Sequence, residues 1–143
     1  MSENPHPFGR VTRFALLCVL VSAATVSAQQ QSTKIMVVTD RKNVTTELQQ
    51  YGIVSGGSAA LSKTLTVERG EGQLTYDLDR VEKIELAETK KGPGDCLLTI
   101  TLGDGTVHQD QRVMYSGSAW IKGQANGGTF VLSLCSAKTI TFK

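Results

Sequence analysis

The feature that most constrains the fold of this chain is an alternation of apolar and polar residues along several short segments. Apolar side chains dominate every second position in 61–67, 74–78, 98–102 and 130–134. A period of two is typical of strands with one buried face, whereas an amphipathic helix repeats every 3.6 residues. Glycine-rich turns separate these segments at intervals that are typical of a sandwich or barrel. The sequence therefore predicts an all-β fold, a small antiparallel β-sandwich or barrel.

A weaker pattern relates two parts of the chain at a constant offset. Gly72 maps to Gly128, Leu78 to Leu134 and Ile84 to Ile140, with the same spacing of apolar positions between them. The match lies in the pattern more than in residue identity, so the sequence leaves open whether it records a duplication. It predicts two β-units, 34–89 and 96–143, which the breaker segment KKGPGD at 90–95 would join.

Each predicted unit contains a corner at which the alternation breaks. Leu78, Val81 and Ile84 are spaced at every third position, which suits a tight, 3₁₀-like turn that keeps all three on the core side. The equivalent stretch begins at Leu134 and contains Cys135. We therefore expect two such corners, one in each unit.

The segment 1–28 has the three parts of a secretory signal peptide. Arg10 and Arg13 precede an apolar run over 14–21, and a small-residue stretch ends at Ala28. The run is shorter than the roughly 20 residues that a membrane span requires, although a retained anchor is the alternative. We predict cleavage after Ala28, a short flexible N-terminus over 29–33, and a single β domain over 34–143. The protein would then be periplasmic or extracellular, with no membrane span in the processed chain.

Removal of the signal peptide would leave two cysteines, Cys96 and Cys135. In an oxidising compartment such a pair is most simply a disulfide, and free thiols are the alternative. For the loop that this bond would close, the chain-entropy stabilisation is about 4 kcal/mol. Since there is no C-x-x-C motif and His108 is the single histidine after Ala28, we predict neither a metal site nor a cofactor.

Charge and motifs exclude several function classes. Without the segment 1–28, basic side chains outnumber acidic ones by one, which does not indicate a nucleic-acid binder. His108 and Asp110 are two apart and are expected to share one strand face, as acid–base work would require. A lone histidine among polar residues is, however, more often solvated than catalytic. No calcium-loop pattern and no G-x-S-x-G motif occur. The sequence therefore indicates no catalytic constellation and predicts a protein that is not an enzyme.

The candidate binding residues are Tyr115 and Trp120, which flank a short Ser- and Gly-containing turn. An aromatic pair of this kind can form a platform for a protein or a glycan, whereas in the alternative Trp120 anchors the core or covers a sheet edge. Neighbouring strand residues face opposite ways, so Trp120 points outward if Ile121 points inward. An outward tryptophan would mark a contact surface.

These observations favour an exported, non-catalytic binding or protein-interaction module of the cell envelope or extracellular space. One alternative is a structural component that assembles through its strand edges. The other is a hydrolytic enzyme, for which the required constellation is missing. The sequence predicts neither the partner nor the oligomeric state.

Overall fold

Ten antiparallel strands form one curled sheet with the shape of a half-barrel, which confirms the predicted all-β fold. The computed structural model describes residues 34–113 and 116–143, within one compact unit, Gln31–Lys143. The predicted signal peptide over 1–28 and the N-terminal segment over 29–33 lie outside the described residues. The strands are β1 Met36–Asp40, β2 Thr45–Val54, β3 Thr64–Arg69, β4 Gly72–Asp77, β5 Val81–Thr89, β6 Gly92–Leu102, β7 Val107–Val113, β8 Trp120–Ala125, β9 Gly128–Ser133 and β10 Ala137–Phe142.

The order of the strands across the sheet is β4-β3-β7-β6-β5-β10-β1-β2-β8-β9. The sheet divides between the central strands β5 and β10 into two halves of five strands each, which are arranged in the same way. We call β1–β5 the first part of the chain and β6–β10 the second part. One half of the sheet takes β3, β4 and β5 from the first part and β6 and β7 from the second. The other half takes β1 and β2 from the first part and β8, β9 and β10 from the second. The two parts of the chain therefore exchange strands.

The bounds of equivalent elements explain why the repeat is only partly visible in the sequence. The offset that maps Gly72 to Gly128 carries β3 and β4 onto the bounds of β8 and β9. The β1–β2 turn and the β6–β7 turn are closed by equivalent hydrogen bonds. Asp40 N–H donates to Val44 O at 3.0 Å, and Leu102 N–H donates to Thr106 O at 2.9 Å. These two turns are therefore related by a larger offset in sequence number. The first part of the chain is longer between the starts of β2 and β3 than the second part is between β7 and β8. This insertion shifts the register of the repeat.

The two predicted corners are present as 3₁₀ turns at Leu78–Arg80 and Leu134–Ser136. Leu78 and Leu134 are fully buried. In the first turn the side chain of Asp77 accepts a hydrogen bond from Asp79 N at 3.0 Å. An aspartate that precedes a helical turn in this way satisfies a backbone N–H that has no partner within the turn. A further 3₁₀ turn lies at Ser116–Ser118.

The core lies against the concave face of the curled sheet. Alternate residues of each strand point to it, as the period of two requires. The largest fully buried side chains come from both halves of the sheet: Tyr51, Met36, Leu48, Leu65, Leu78, Ile84, Leu98, Ile100, Ile121, Leu134 and Ile140. Burial of each such side chain contributes about 1.5–3 kcal/mol before the entropy cost of ordering it is counted.

One local expectation is wrong. Leu61 precedes β3 instead of belonging to it, and its side chain is exposed. The breaker segment at 90–95 lies where the first part of the chain passes into the second, and β6 already begins within it at Gly92, which pairs with Thr89. Lys90 and Lys91 form the turn of a β5–β6 hairpin. Gly92 adopts a φ of 121°. Residues other than glycine rarely take this value, so Gly92 permits the turn.

Candidate functional site

Cys96 and Cys135 form a disulfide in the structure, with their Cα atoms 5.5 Å apart. Cys96 lies in β6 and Cys135 lies in the 3₁₀ turn before β10, so the bond joins the two halves of the sheet. Strand alternation alone would have placed Cys135 opposite the buried Leu134. The 3₁₀ turn rotates it inward, and both cysteines are fully buried. This geometry gives the pair a structural role.

The equivalent position in the other half holds a weaker link. Lys34 precedes the buried Met36 as Cys96 precedes the buried Leu98, and Asp79 follows Leu78 as Cys135 follows Leu134. There the Nζ of Lys34 donates a hydrogen bond to the backbone oxygen of Asp79. Each half is therefore tied to a 3₁₀ turn of the other, once covalently and once by a hydrogen bond.

Trp120 points out of the sheet at the start of β8. Its side chain is 44% exposed, whereas the next residue, Ile121, is fully buried. Trp120 therefore does not serve as a core residue, although it belongs to a regular strand. Tyr115 lies outside the described residues, so the predicted pairing of the two aromatic rings stays a prediction.

Several side chains share the convex face with Trp120. Val54 of β2 is its cross-strand partner. Val131 of β9 is 53% exposed and pairs with Lys122, which places it diagonal to Trp120, about 7–8 Å away by strand geometry. Leu61 lies against the outward side of Gly52, the neighbour of Lys122. We call Leu61, Trp120, Lys122 and Val131 the Trp120 face.

The Trp120 face has a counterpart in the other half with different chemistry. At the positions of Trp120, Lys122 and Val131, the convex side of β3 and β4 has threonines: Thr64, Thr66 and Thr75. Thr66 and Thr75 are joined by a hydroxyl hydrogen bond of 3.0 Å. The same backbone therefore folds with a polar convex face. The fold does not require the apolar residues on β8 and β9.

Sequence reasoning singled out Trp120 but missed Lys122, Val131 and Leu61. A signal for Val131 was present, since the internal repeat aligns it with Thr75. Leu61 gave no such signal, because its alternation with Leu65 and Val67 predicted a buried strand residue. Of the five large hydrophobic residues that are exposed among the described ones, three belong to the Trp120 face.

His108 has a structural partner that the sequence did not predict. Its Nδ1 is hydrogen-bonded to the hydroxyl of Tyr76, which is nearly buried on β4. Burial raises the pKa of Tyr76 above its ordinary 10.0, partly offset by Arg69. The expectation that His108 and Asp110 share a face does not hold, because Asp110 has a positive φ of 55° and the β6–β7 register shifts between His108 and Gln111. The histidine thus connects the edge strand β4 to β7.

Lys63 lies over the ring of Tyr51, with its Nζ 3.4 Å from the ring centroid. This distance is within the range of a cation–π contact. Burial lowers the pKa of Lys63 below its ordinary 10.5, an effect that nearby Asp79 partly offsets. Tyr51 also contacts Phe142, with the ring centroids 5.7 Å apart. The lysine therefore forms part of the packing around a buried tyrosine.

A cavity of about 260 Å³ lies where the β2–β3 connection meets the end of β7. Its polar walls include Ser62, Thr64 and Gln73, and its apolar floor includes Ile53 and Val113. Ligand sites are commonly about 300–1,000 Å³ in volume. The lining residues are Ile53, Ser55, Ser62, Thr64, Leu65, Thr66, Gln73, Val113 and Ala119. None of these side chains can serve as a general acid or base near neutral pH.

Other kinds of site receive no support from residues 34–113 and 116–143. These residues contain no group of three or more histidine, cysteine or acidic side chains placed to hold a metal ion. No helix within these ranges is long and apolar enough to cross a membrane. No protein-family model matches the chain, and no curated protein matches it. The Trp120 face is therefore the feature on which we base a function.

Proposed function

We propose that this protein is an exported, non-catalytic interaction module that binds a protein partner through the Trp120 face. The observation that carries the proposal is the exposure of Trp120 on a strand whose equivalent, β3, has Thr64 at that position. An exposed tryptophan with no role in the core costs solubility. Tryptophan is also enriched among the residues that contribute most to binding at protein interfaces.

The chemistry of the face favours a partner that combines an apolar side chain with a carboxylate. Trp120 and Val131 provide apolar area, and Lys122 lies beside both of them on the same side of the sheet. A partner carboxylate beside Lys122 would be paired, and the apolar contacts would exclude water around that pair. We therefore expect the affinity to weaken as salt concentration rises.

The proposed export has two supports. The signal-like pattern over 10–28 would direct the chain out of the cytoplasm. The buried disulfide between Cys96 and Cys135 is the type of bond that persists in oxidising compartments. The non-catalytic role is supported by the contact between His108 and Tyr76, which gives the histidine a structural use.

The test exploits the fact that the chain has a single tryptophan. A partner isolated from an envelope extract on the immobilised protein is purified and titrated while the emission of Trp120 is followed. Binding at the face should shift the emission to shorter wavelength and protect the indole from acrylamide. The variant Trp120→Thr copies the residue of the equivalent strand, so it should fold normally and lose most of the affinity.

The matched control is Val107→Thr, which removes an exposed apolar side chain of β7 outside the Trp120 face. This variant should bind as the wild type does. Equal affinity of the wild type and Trp120→Thr for the purified partner would contradict the proposal. An unchanged Trp120 emission at saturation would contradict it as well.

A further inference from the structure

The strand β9 is one end of the sheet, and no described strand pairs with its outer side. The hydrogen bond from Leu134 N–H to Ala119 O, 2.9 Å long, shows which backbone groups of β9 point towards β8 and which point away from the sheet. Because inward and outward groups alternate along an antiparallel strand, Leu132 and Phe130 are bonded to β8. The N–H and C=O groups of Thr129, Val131 and Ser133 therefore point away from the sheet.

This edge lacks the features by which proteins normally prevent strand pairing. Exposed edges usually have a charged side chain, a proline or a bulge. The sequence of β9, Gly128–Ser133, contains no charge and no proline, and its pairing with β8 is regular along its whole length. Phe130, Val131 and Leu132 at its centre are apolar, and the first two have high β-propensity. The edge is therefore competent to accept another strand.

The opposite end of the sheet is built differently. The hydrogen bond from Leu78 N–H to Lys63 O, 2.8 Å long, is equivalent to the one from Leu134 to Ala119. Inward and outward backbone groups therefore alternate along β4 as they do along β9. Its outward backbone groups belong to Gln73, Thr75 and Asp77, and Asp77 provides a carboxylate at this edge. The two edge strands, β4 and β9, thus have the same backbone geometry but differ in charge and polarity. The uncharged strand, β9, also provides Val131 to the Trp120 face.

We propose that β9 pairs with β9 of a second copy of this chain, antiparallel and centred on Val131. In this register Val131 faces its own equivalent, and Thr129 faces Ser133 of the second copy. All three pairs have outward backbone groups, so both residues of each pair donate and accept. On the concave side Phe130 meets Leu132 of the second copy, which covers apolar side chains that are only half-buried in one copy.

The charges of the chain permit this arrangement. The nearest charged residue to the edge on its own hairpin is Lys122, which lies one strand further in. Two strands would separate the lysines of the two copies, a distance of about 14 Å from the spacing between strands. That exceeds the screening length of about 8 Å at physiological salt. The uncharged edge of β9 has no charged group that would select a charged strand from another protein. A second β9 is, in contrast, complementary to the edge at every position of the proposed register.

This inference goes beyond the proposed function, because a strand added beside β9 leaves the indole of Trp120 on the convex face. The two proposals can therefore fail separately. Pairing of the edges without any change in the emission of Trp120 would support self-association alone. Binding of a partner by a protein that stays monomeric would support the Trp120 face alone.

The experiment is sedimentation velocity on protein expressed from the full chain, over low to high micromolar concentrations. We expect the mean mass of the wild type to rise towards that of a dimer. Val131→Pro removes an N–H that points away from β8, so the variant should keep its fold and stay monomeric. Thr75→Pro makes the same change at the equivalent position of β4 and should associate as the wild type does.

If Val131→Pro fails to fold by circular dichroism, the pair Val131→Lys and Thr75→Lys replaces it, since a lysine protects an edge without removing an N–H. The inference is overturned if the wild type is monomeric at every concentration. It is also overturned if the folded Val131 variant associates as strongly as the wild type, or if the Thr75 variant loses association equally.

Discussion

Lys34 and Cys96 occupy equivalent positions in the two halves of the sheet, just before the buried Met36 and Leu98. Each is bonded to a 3₁₀ turn of the other half, Lys34 to Asp79 and Cys96 to Cys135. One link is a hydrogen bond at the surface and the other is a buried covalent bond. This difference between equivalent positions leads to the first prediction.

Replacing both cysteines by alanine should lower the free energy of unfolding by about 2–5 kcal/mol, because the unfolded chain regains the freedom that the disulfide removes. Lys34→Ala, which removes the equivalent hydrogen bond, should cost no more than about 1.5 kcal/mol. Chemical denaturation of the two variants and the wild type measures both effects. A double variant as stable as the wild type would show that the disulfide does not constrain the fold.

Trp120 should report an exposed environment in the isolated native protein at low concentration. Because Trp120 is 44% exposed, acrylamide should quench its indole readily, and its emission should lie close to that of the unfolded chain. Steady-state quenching of folded and denatured protein makes the comparison. A native emission at much shorter wavelength would mean that the indole is covered in solution and that the Trp120 face is not free.

Gly123→Ala should destabilise the fold by about 1–3 kcal/mol through overpacking. A Cβ at Gly123 would lie 3.1 Å from Leu48 Cβ and 3.2 Å from both Gln49 O and Tyr51 Cβ. Gly72→Ala is the matched control, because the nearest atom to its added Cβ is Arg69 O at 3.6 Å. Thermal unfolding should separate the two variants clearly, and an equal effect of both would refute the close approach of β8 to β2.

The pH dependence of stability should reveal the buried Tyr76. Since burial raises its pKa above 10.0, the folded state keeps the phenolic proton after the unfolded state has lost it. The free energy of unfolding should therefore fall as pH rises through 10 towards the raised pKa. Below pH 10 the stability that the protonated Tyr76 contributes is fully present. Urea denaturation at pH 9 and 11 measures it.

Tyr76→Phe provides the comparison for that measurement. It removes the titrating hydroxyl, so the fall in stability between the two pH values should be smaller than in the wild type. The variant also loses the bond to His108, which lowers its stability at both pH values alike. An identical pH dependence in the two proteins would exclude Tyr76 as the source.

The fold class could be predicted from the sequence because its signals are local. Alternation over 74–78 and 130–134 reports which side of a strand is buried, and glycines mark the turns between strands. The spacing of Leu78, Val81 and Ile84 likewise predicted a 3₁₀ turn, because only a tight corner keeps all three side chains on one side. Each of these inferences uses residues that are near one another in the chain.

The candidate site was predictable only in part. The burial of Ile121 predicts the exposure of Trp120 by strand alternation. The position of Val131 on an end strand depends on which strands become neighbours, and no local pattern contains that information. Leu61 misled the prediction because its spacing matched a strand that begins only at Thr64.

The sequence by itself determined that this chain forms antiparallel strands with one apolar face, and that two cysteines are available to join them. Only the tertiary structure decided that the two parts of the chain exchange strands, that Cys135 turns inward to reach Cys96, and that β9 is an end strand of the sheet that the described residues form. The physical reason is that alternation is a property of neighbouring residues. Strand order, in contrast, is set by contacts between residues far apart in the chain.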